Sequence, residues 1–194
     1  GGPGHEKPYV ATAQQHYAAF WRHNIPADLV RMDADWSQYR LLVAPMLYMV
    51  KSGEFPKAGS PEQMRTRLNE ARKLEAWVRG GGTFVTTYLS GIVNENDLVY
   101  EGGYPGPLRT LLGLWVDEMD NTRPGTATNR IVPLNGALPG LRKSYTCDRY
   151  FDQIVLEGAE ALARYGKNWY AGGPCVTRNR CGKGRAYYLG TAAD

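Results

Sequence analysis

The sequence predicts an α/β domain built on a doubly wound, mostly parallel sheet with flanking helices and a second half rich in β-strands. In the first hundred residues, helical apolar patterns alternate with short apolar strands in the order α-β-β-α-β, with tight connections. From Arg130 onward, short strands separated by turn residues dominate. The 194 residues are enough for one such domain with its own core. We therefore interpret residues 9–194 as a single domain that follows a linker or cut edge at residues 1–8.

Two helices and three strands are predicted before the midpoint of the chain. The first helix covers residues 9–23, and because its apolar residues share one face, we expect that face to pack on the sheet. The second helix covers residues 61–79, with Ser60 as its N-cap, and the glycines at 80–82 end it. The predicted strands are residues 27–32, residues 40–44 and the central strand at residues 83–87.

After residue 100 the pattern changes to shorter elements. A short helix is predicted at residues 108–112, and Gly113 ends it because glycine tolerates the left-handed conformation of a helix end. A closing hairpin pairs residues 174–179 with residues 185–190 around the turn at 181–184. The other predicted strands of this half are residues 115–119, 130–134, 150–156, 159–165 and 169–177.

Composition and charge argue against several functions. The net charge is +4, but the basic residues are scattered with no run of five or more, so nucleic-acid binding is not indicated. No apolar run approaches about 18 residues, so no membrane span is predicted. Cys147, Cys175 and Cys181 form no Cys-x-x-Cys pair, which argues against a zinc ribbon or a thioredoxin-like site. Their odd number and low density predict reduced thiols and a cytoplasmic location.

The central strand is followed by residues 88–91, the position where open α/β sheets carry their chemistry. Ser90 is a candidate nucleophile there. A hydrolase elbow, however, has glycines two residues before and after the serine, and Tyr88 and Ile92 occupy those positions. A serine nucleophile also needs a histidine base, and the three histidines, His5, His16 and His23, all lie at the amino end. We therefore predict a structural corner and no catalytic residue.

Other candidate sites also have a structural interpretation. The glycines at 80–82 follow a helix and precede a strand, which reverses the order of a phosphate loop. Glu95 and Asp97 would point to one side of an extended chain, as a glycosidase carboxylate pair requires, but residues 94–97 also form a favourable turn, which we prefer. His16 and His23 lie two helical turns apart, too far to share a metal ion without further ligands. We predict no cofactor and no metal site.

Several blocks of the sequence resemble a known family. They are AAFWRHNIPAD at residues 18–28, YRLLVAPMLY at 39–48, GGTFVTTYLSGIVNEND at 81–97, GYPGPLR at 103–109 and TRNRCGKGRAYYLGT at 177–191. In this order they resemble the trimerisation domain of family 42 β-galactosidases. The resemblance extends over most of the chain.

The resemblance implies a flavodoxin-like fold, similar to class I glutamine amidotransferases but without their nucleophile. It also implies a place between a catalytic (β/α)8 barrel, which carries the two catalytic glutamates, and a small β domain, and a role in holding a homotrimer. The expected partners are therefore further copies of the chain and the barrel of the same enzyme. The interface candidates lie in the loops past the carboxyl ends of the strands. They are Ser90, Asn94, Asn96, Asp97, Tyr104, Pro105 and Arg109.

Two alternatives and one departure from the family pattern accompany this prediction. The first alternative is a stand-alone amidotransferase-like hydrolase that uses Ser90, and the second is a sugar-binding module with exposed aromatic residues such as Tyr88, Tyr104 and Trp115. The departure is that the family opens this domain with a strand and a tryptophan-rich segment, whereas here the helix begins almost at once. We expect the corresponding sheet position to be filled by a longer chain or by a partner.

Overall fold

The domain combines three α-helices with ten β-strands in the part of the chain that the computed structural model describes, residues 9–51, 69–122, 128–137 and 140–193. The helices are α1 (Tyr9–Arg22), α2 (Glu70–Arg79) and α3 (Arg109–Leu112), and the 3₁₀ helix Gly106–Leu108 leads into α3. The strands are β1 (Leu41–Ala44), β2 (Thr83–Thr87), β3 (Leu114–Asp120), β4 (Asn129–Pro133), β5 (Tyr145–Arg149), β6 (Phe151–Leu156), β7 (Glu160–Tyr165), β8 (Pro174–Cys181), β9 (Gly184–Leu189) and β10 (Ala192–Ala193). The predicted α/β class is confirmed.

The strands form one mixed sheet of eight and one antiparallel pair. The strand order of the larger sheet is β1-β2-β9-β8-β7-β4-β5-β10, and β3 pairs with β6. Strands β1, β2 and β9 run parallel, with Leu41 opposite Thr83 and Thr83 opposite Arg185. The five other pairings of the large sheet are antiparallel.

The prediction of a mostly parallel sheet is therefore wrong. Parallel neighbours need a long crossover, such as the one between β1 and β2 that contains α2. The second half of the chain has short connections instead, and the hairpin between β8 and β9 closes with Cys181 opposite Gly184. Short connections of this kind join antiparallel strands. The β-rich second half is confirmed, and apart from the β3–β6 pair its strands continue the same sheet.

The main core lies where α2 packs on the parallel strands. Leu74 and Val78 of α2, Phe84 of β2 and Tyr188 of β9 are all at most 1% exposed and belong to one apolar cluster. A second cluster fills the antiparallel part and includes Cys147, Phe151, Tyr165, Tyr170 and Cys175. The buried aromatic side chains of these two cores serve packing; they are Trp36, Phe84 and Tyr188 in the first and Phe151, Tyr165 and Tyr170 in the second.

The second predicted helix is confirmed only in its last ten residues. Asn69 has an extended backbone, with ψ at 95°, and its side-chain oxygen accepts a hydrogen bond from the Arg72 amide at 2.9 Å. Asn69 is therefore an N-cap, and the prediction of one continuous helix over residues 61–79 is wrong at this residue. Residues 60–68, with the predicted cap Ser60, lie outside the described residues. The predicted stop is confirmed, since α2 ends at Arg79 before the three glycines.

The first predicted helix is confirmed, but its predicted packing is not. Only Thr12 of α1 is buried, whereas Val10, Tyr17 and Trp21 are 65%, 44% and 73% exposed. The strand predicted at residues 27–32 is wrong, because these residues form no ladder and Leu29 is 92% exposed. A strand needs a neighbour for its backbone hydrogen bonds, and β1 pairs only with β2 among the described strands.

The second half follows the predicted strand sequence with small shifts. The short helix before Gly113, whose φ is 63°, and the closing hairpin are both confirmed. The strand predicted at residues 169–177 begins only at Pro174, because residues 166–173 form a turn in which Asn168 and Gly172 have positive φ. Strands β5 and β10 were not predicted. The three cysteines are buried and carry free thiols, as expected.

Candidate functional site: the corner after the central strand

The loop that follows β2 is a closed structural corner. Ser90 is fully buried, and its hydroxyl donates to the Thr87 carbonyl oxygen at 2.7 Å and accepts from the Leu47 amide at 3.0 Å. The Thr87 hydroxyl accepts from the Met46 amide at 2.9 Å. These bonds join the chain that leaves β1 to the chain that leaves β2. Ser90 therefore satisfies backbone groups in the interior and is not presented to a substrate.

Neither of the two histidines in the described part of the chain is hydrogen-bonded to this serine as a base would be. His16 and His23 lie on α1 and just beyond it, and the His16 Nδ1 atom contacts the Thr12 carbonyl oxygen at 2.9 Å, one turn earlier. His5 lies outside the described residues. Among residues 9–51, 69–122, 128–137 and 140–193, no group of three potential metal ligands comes together.

Residues 94–97 form the predicted turn. The Asn94 side-chain oxygen accepts from the amides of Asn96 and Leu98, at 2.9 and 3.1 Å. The Asp97 amide donates to the Asn94 carbonyl oxygen, and Asp97 has a φ of 61°, which aspartate tolerates better than most residues. Asn94 itself is 2% exposed, whereas Asp97 is exposed. The turn interpretation of Glu95 and Asp97 is thus confirmed over the extended carboxylate pair.

The second predicted loop packs directly against the first. Pro105 is buried and follows a cis peptide bond with Tyr104. A Cβ atom on Gly91 would lie 2.4 Å from the Pro105 carbonyl oxygen, so only glycine fits at this approach, where φ is also positive at 65°. The structure therefore brings the two loops that the sequence singled out into one contiguous corner.

Arg109 lies at the outer side of this corner in an ion pair. Its guanidinium donates to both carboxylate oxygens of Glu157, at 2.6 and 2.5 Å, and stands 5.3 Å from the Trp115 ring. The hydrogen bonds with Arg109 lower the pKa of the Glu157 carboxyl, and the same contact raises the pKa of Arg109. Both side chains are partly exposed, so this pair contributes little to stability. Its bidentate geometry fixes the direction of Arg109.

A buried carboxyl group lies beneath the corner, and sequence reasoning missed it. Asp152 of β6 is completely buried, accepts from the Tyr188 hydroxyl at 2.6 Å and contacts the Tyr104 hydroxyl at 3.3 Å. Burial raises the pKa of Asp152 to about 7, and the two tyrosine hydrogen bonds oppose that rise only in part. Burial likewise raises the pKa of Tyr104 and Tyr188. An acidic residue beside Phe151, in a strand whose only other polar residue is Gln153, is the signal that could have identified it.

Asp152 joins the two sheets and the corner. It belongs to the two-stranded sheet, whereas Tyr188 belongs to β9 of the large sheet and Tyr104 to the corner. The Asp152 amide also donates to the Gly190 carbonyl oxygen at 2.9 Å. Because no part of Asp152 is exposed, it serves as a tie between elements rather than as a general acid for a bound substrate.

No helix in the described parts of the chain is both long and apolar enough to cross a membrane.

Comparison with known proteins gives a family match for this chain. Residues 2–59 and 61–194 match the model of the family described as the β-galactosidase trimerisation domain. The chain is 43% identical to the β-galactosidase BgaP of Planococcus sp. (strain L4) over 193 residues, which are 100% of this chain and 26% of that protein. It is 42% identical to the β-galactosidase Pbg of Clostridium perfringens, over 95% of this chain and 24% of that protein.

Solved structures agree with this similarity. The β-galactosidase from Bacillus circulans sp. alkalophilus superposes with a TM-score of 0.87 at 42% identity, over 100% of this chain and 26% of that one. The β-galactosidase from Rahnella sp. R3 gives a TM-score of 0.86 at 40% identity, with the same coverage of 100% and 26%. The chain thus spans about a quarter of the length of the relatives it matches.

Proposed function

Because this chain belongs to the β-galactosidase trimerisation domain family, we propose that it is a non-catalytic domain that holds the subunits of a β-galactosidase together as a homotrimer. The observation that carries the proposal is the family match, which extends over residues 2–59 and 61–194. The proposed partners are further copies of the chain and the catalytic (β/α)8 barrel of the same enzyme. The relatives' remaining three quarters provide the length for such a barrel.

The geometry of the corner supports a structural role. Ser90 is buried and bonded to backbone groups, and the turn at residues 94–97 is fixed by the Asn94 side chain. The closely packed loops give a rigid surface at one end of the sheet. Rigid loops lose little conformational entropy when they enter an interface, which suits an assembly domain. The predicted interface residues that reach the surface are Asn96, Asp97, Tyr104 and Arg109.

Two alternatives have less support. A stand-alone hydrolase would need Ser90 at the surface beside a base, but Ser90 is 0% exposed and His16 lies on α1. A sugar-binding module would need accessible aromatic faces, but Tyr88 is 4% exposed and stacks on Tyr150 at 4.5 Å, and Tyr104 and Trp115 are only half-exposed. No contact in the described residues favours either one over assembly.

Two finer parts of the proposal concern fold and location. The parallel strands β1, β2 and β9 with α2 form the part of the domain that is consistent with a flavodoxin-like origin. The antiparallel strands would then be an addition to that unit. The free thiols of the three cysteines are consistent with the cytoplasmic location that we predict.

The direct test is the mass of the chain in solution, measured by multi-angle light scattering over a hundredfold range of concentration. We expect a concentration-dependent shift from 21.6 kDa towards three times that mass. A mass that stays at one chain throughout would contradict self-association as the function of this domain. A parallel assay with a nitrophenyl β-galactoside should give no hydrolysis above buffer, and turnover that scales with protein would contradict the non-catalytic role.

A further inference from the structure

Helix α1 presents an apolar face that no described element covers. Val10, Tyr17 and Trp21 are spaced by seven and four residues, so they lie on one side of the helix, and they are 65%, 44% and 73% exposed. An isolated helix of 14 residues is marginal in water, and packing of its apolar face normally stabilises it. The face of α1 is therefore a candidate contact surface.

A second uncovered apolar surface lies on the turn segment, which we define as residues 94–101. Leu98 and Val99 are 57% and 70% exposed there. The segment is rigid, because the Asn94 side chain closes the turn and the Tyr100 hydroxyl donates to the Val50 carbonyl oxygen at 2.6 Å. Within one chain this surface and the α1 face stay exposed, so they do not cover each other.

The two surfaces carry opposite charge. Helix α1 contains no acidic residue and ends with the basic residue Arg22. The turn segment contains no basic residue, and Asp97 and Glu101 are exposed in it. Apolar side chains on both surfaces, with Arg22 beside one and Asp97 and Glu101 beside the other, are complementary in the way that protein interfaces usually are.

We propose that α1 of one copy of the chain packs on the turn segment of the next copy. This inference rests on the proposed function and names the surface that performs it. The two patches differ, so the contact is head-to-tail, and a head-to-tail contact closes into a ring when its rotation is a simple fraction of a turn. Both patches lie past the carboxyl end of β2, since the Thr12 hydroxyl of α1 contacts Tyr88 and the turn segment begins six residues later.

The exposed area fits a weak but specific interface. The five apolar side chains of the two patches expose on the order of 500 Å² together, given the usual size of aromatic and aliphatic side chains. Since a little over half of an interface is apolar, the contact would bury about 1,000 Å² in total. That is near the lower limit for a biological interface, so assembly should depend on concentration.

The test compares the wild-type chain with Trp21→Glu, Leu98→Glu and a matched control, Trp169→Glu. Trp169 is 74% exposed, like Trp21, but lies in the turn between β7 and β8. Sedimentation velocity over a range of concentrations should show that Trp21→Glu and Leu98→Glu each raise the apparent dissociation constant at least tenfold. Trp169→Glu should change it less than twofold. Circular dichroism melts at low concentration establish that all variants are folded.

Mixing separates the head-to-tail contact from a symmetric one. Trp21→Glu keeps an intact turn segment, and Leu98→Glu keeps an intact α1 face. A mixture of these two variants should therefore form one-to-one heterodimers that grow no further, although each variant alone is monomeric. A mixture that stays monomeric would overturn the pairing of α1 with the turn segment.

Charge reversal gives an independent check. Arg22→Glu and Glu101→Arg should each weaken assembly several-fold, and the double variant should regain part of the loss if the two charges face each other across the contact. If the wild-type chain assembles and all the α1 and turn-segment variants assemble equally well, the surface is wrong but self-association stands. If the wild-type chain remains monomeric at every concentration, both the surface and the proposed function fail.

Discussion

Helices α1 and α2 have the same kind of sequence but opposite surroundings. In α2, Leu74 and Val78 are 1% and 0% exposed and belong to the main core. In α1, the corresponding apolar residues Tyr17 and Trp21 are 44% and 73% exposed. Helical periodicity therefore specifies which side chains share a face, but it does not specify what that face contacts.

The difference follows from what lies beside each helix. Helix α2 connects two adjacent parallel strands, so the crossover itself places it on the sheet. Helix α1 precedes β1, and the residues between them, 23–40, form no strand that would hold it on the sheet. A helix between paired strands is fixed by topology, whereas a helix at the start of the described chain depends on whatever packs on it.

The largest effect is expected where α2 approaches the sheet most closely. A Cβ atom on Gly184 would lie 2.1 Å from the Val78 carbonyl oxygen and 2.2 Å from that of Gly82. Both neighbours are backbone, so Gly184→Ala must displace α2 or β9 and should cost more than about 4 kcal/mol of unfolding free energy. Urea unfolding measures this. A loss below about 1 kcal/mol would mean that α2 is as loosely held as α1.

The second-largest effect is expected from buried Asp152, which should make the free energy of unfolding depend on pH. The pKa of Asp152 is raised from 3.8 to about 7 by burial, so the folded state keeps a proton that the unfolded state releases at lower pH. The stabilisation that this bound proton provides is fully present below the unfolded-state pKa of 3.8, and it is lost as pH rises towards the folded-state pKa of about 7. The upper limit of that loss is about 4 kcal/mol. Urea midpoints between pH 4 and pH 8 should fall accordingly.

Asp152→Asn is the matched variant for this prediction. The amide retains an acceptor for the Tyr188 hydroxyl and supplies a donor towards Tyr104, yet it does not ionise. The urea midpoint of the variant should fall much less between pH 4 and pH 7 than that of the wild-type chain. The variant should be the more stable protein at pH 8. Equal slopes for the two proteins would show that Asp152 is not the group responsible. Because the exposed face of α1 has no such buried group, its variants should leave the slope unchanged.

Much of the fold could be predicted from the sequence because it depends on local patterns. The strand Thr83–Thr87, the stop after Arg79, the turn at residues 94–97 and the β8–β9 hairpin all follow from glycine positions, turn residues and β-branched runs. The N-cap Asn69 was missed because the apolar spacing continues across it, and only the backbone conformation reveals the break. Strand direction was missed because pairing is a long-range property.

The position of the candidate site was predictable from the sequence, but the burial of its residues was not. The sequence placed Ser90, Asn94, Tyr104 and Pro105 past the central strand, where the structure brings the two loops together. The burial of Ser90, Asn94 and Pro105 could not be inferred, because it depends on how the two loops pack together, as where Pro105 closes over Gly91. Asp152 was missed for the same reason, since its partners Tyr104 and Tyr188 are 48 and 36 residues away in the chain.

The last prediction compares the two helices directly through a pair of truncations. Leu74→Ala in α2 removes a side chain that is 1% exposed, so lost burial and the remaining cavity should cost about 3 kcal/mol. Trp21→Ala in α1 removes a larger side chain that is 73% exposed, so at concentrations where the chain is monomeric it should cost less than about 0.5 kcal/mol. Urea unfolding of both variants at low protein concentration measures the difference. Raising the concentration should leave the Leu74→Ala deficit unchanged but enlarge that of Trp21→Ala, because assembly stabilises only chains whose α1 face is intact. Equal costs for the two variants at low concentration would mean that α1 is already packed within the single chain.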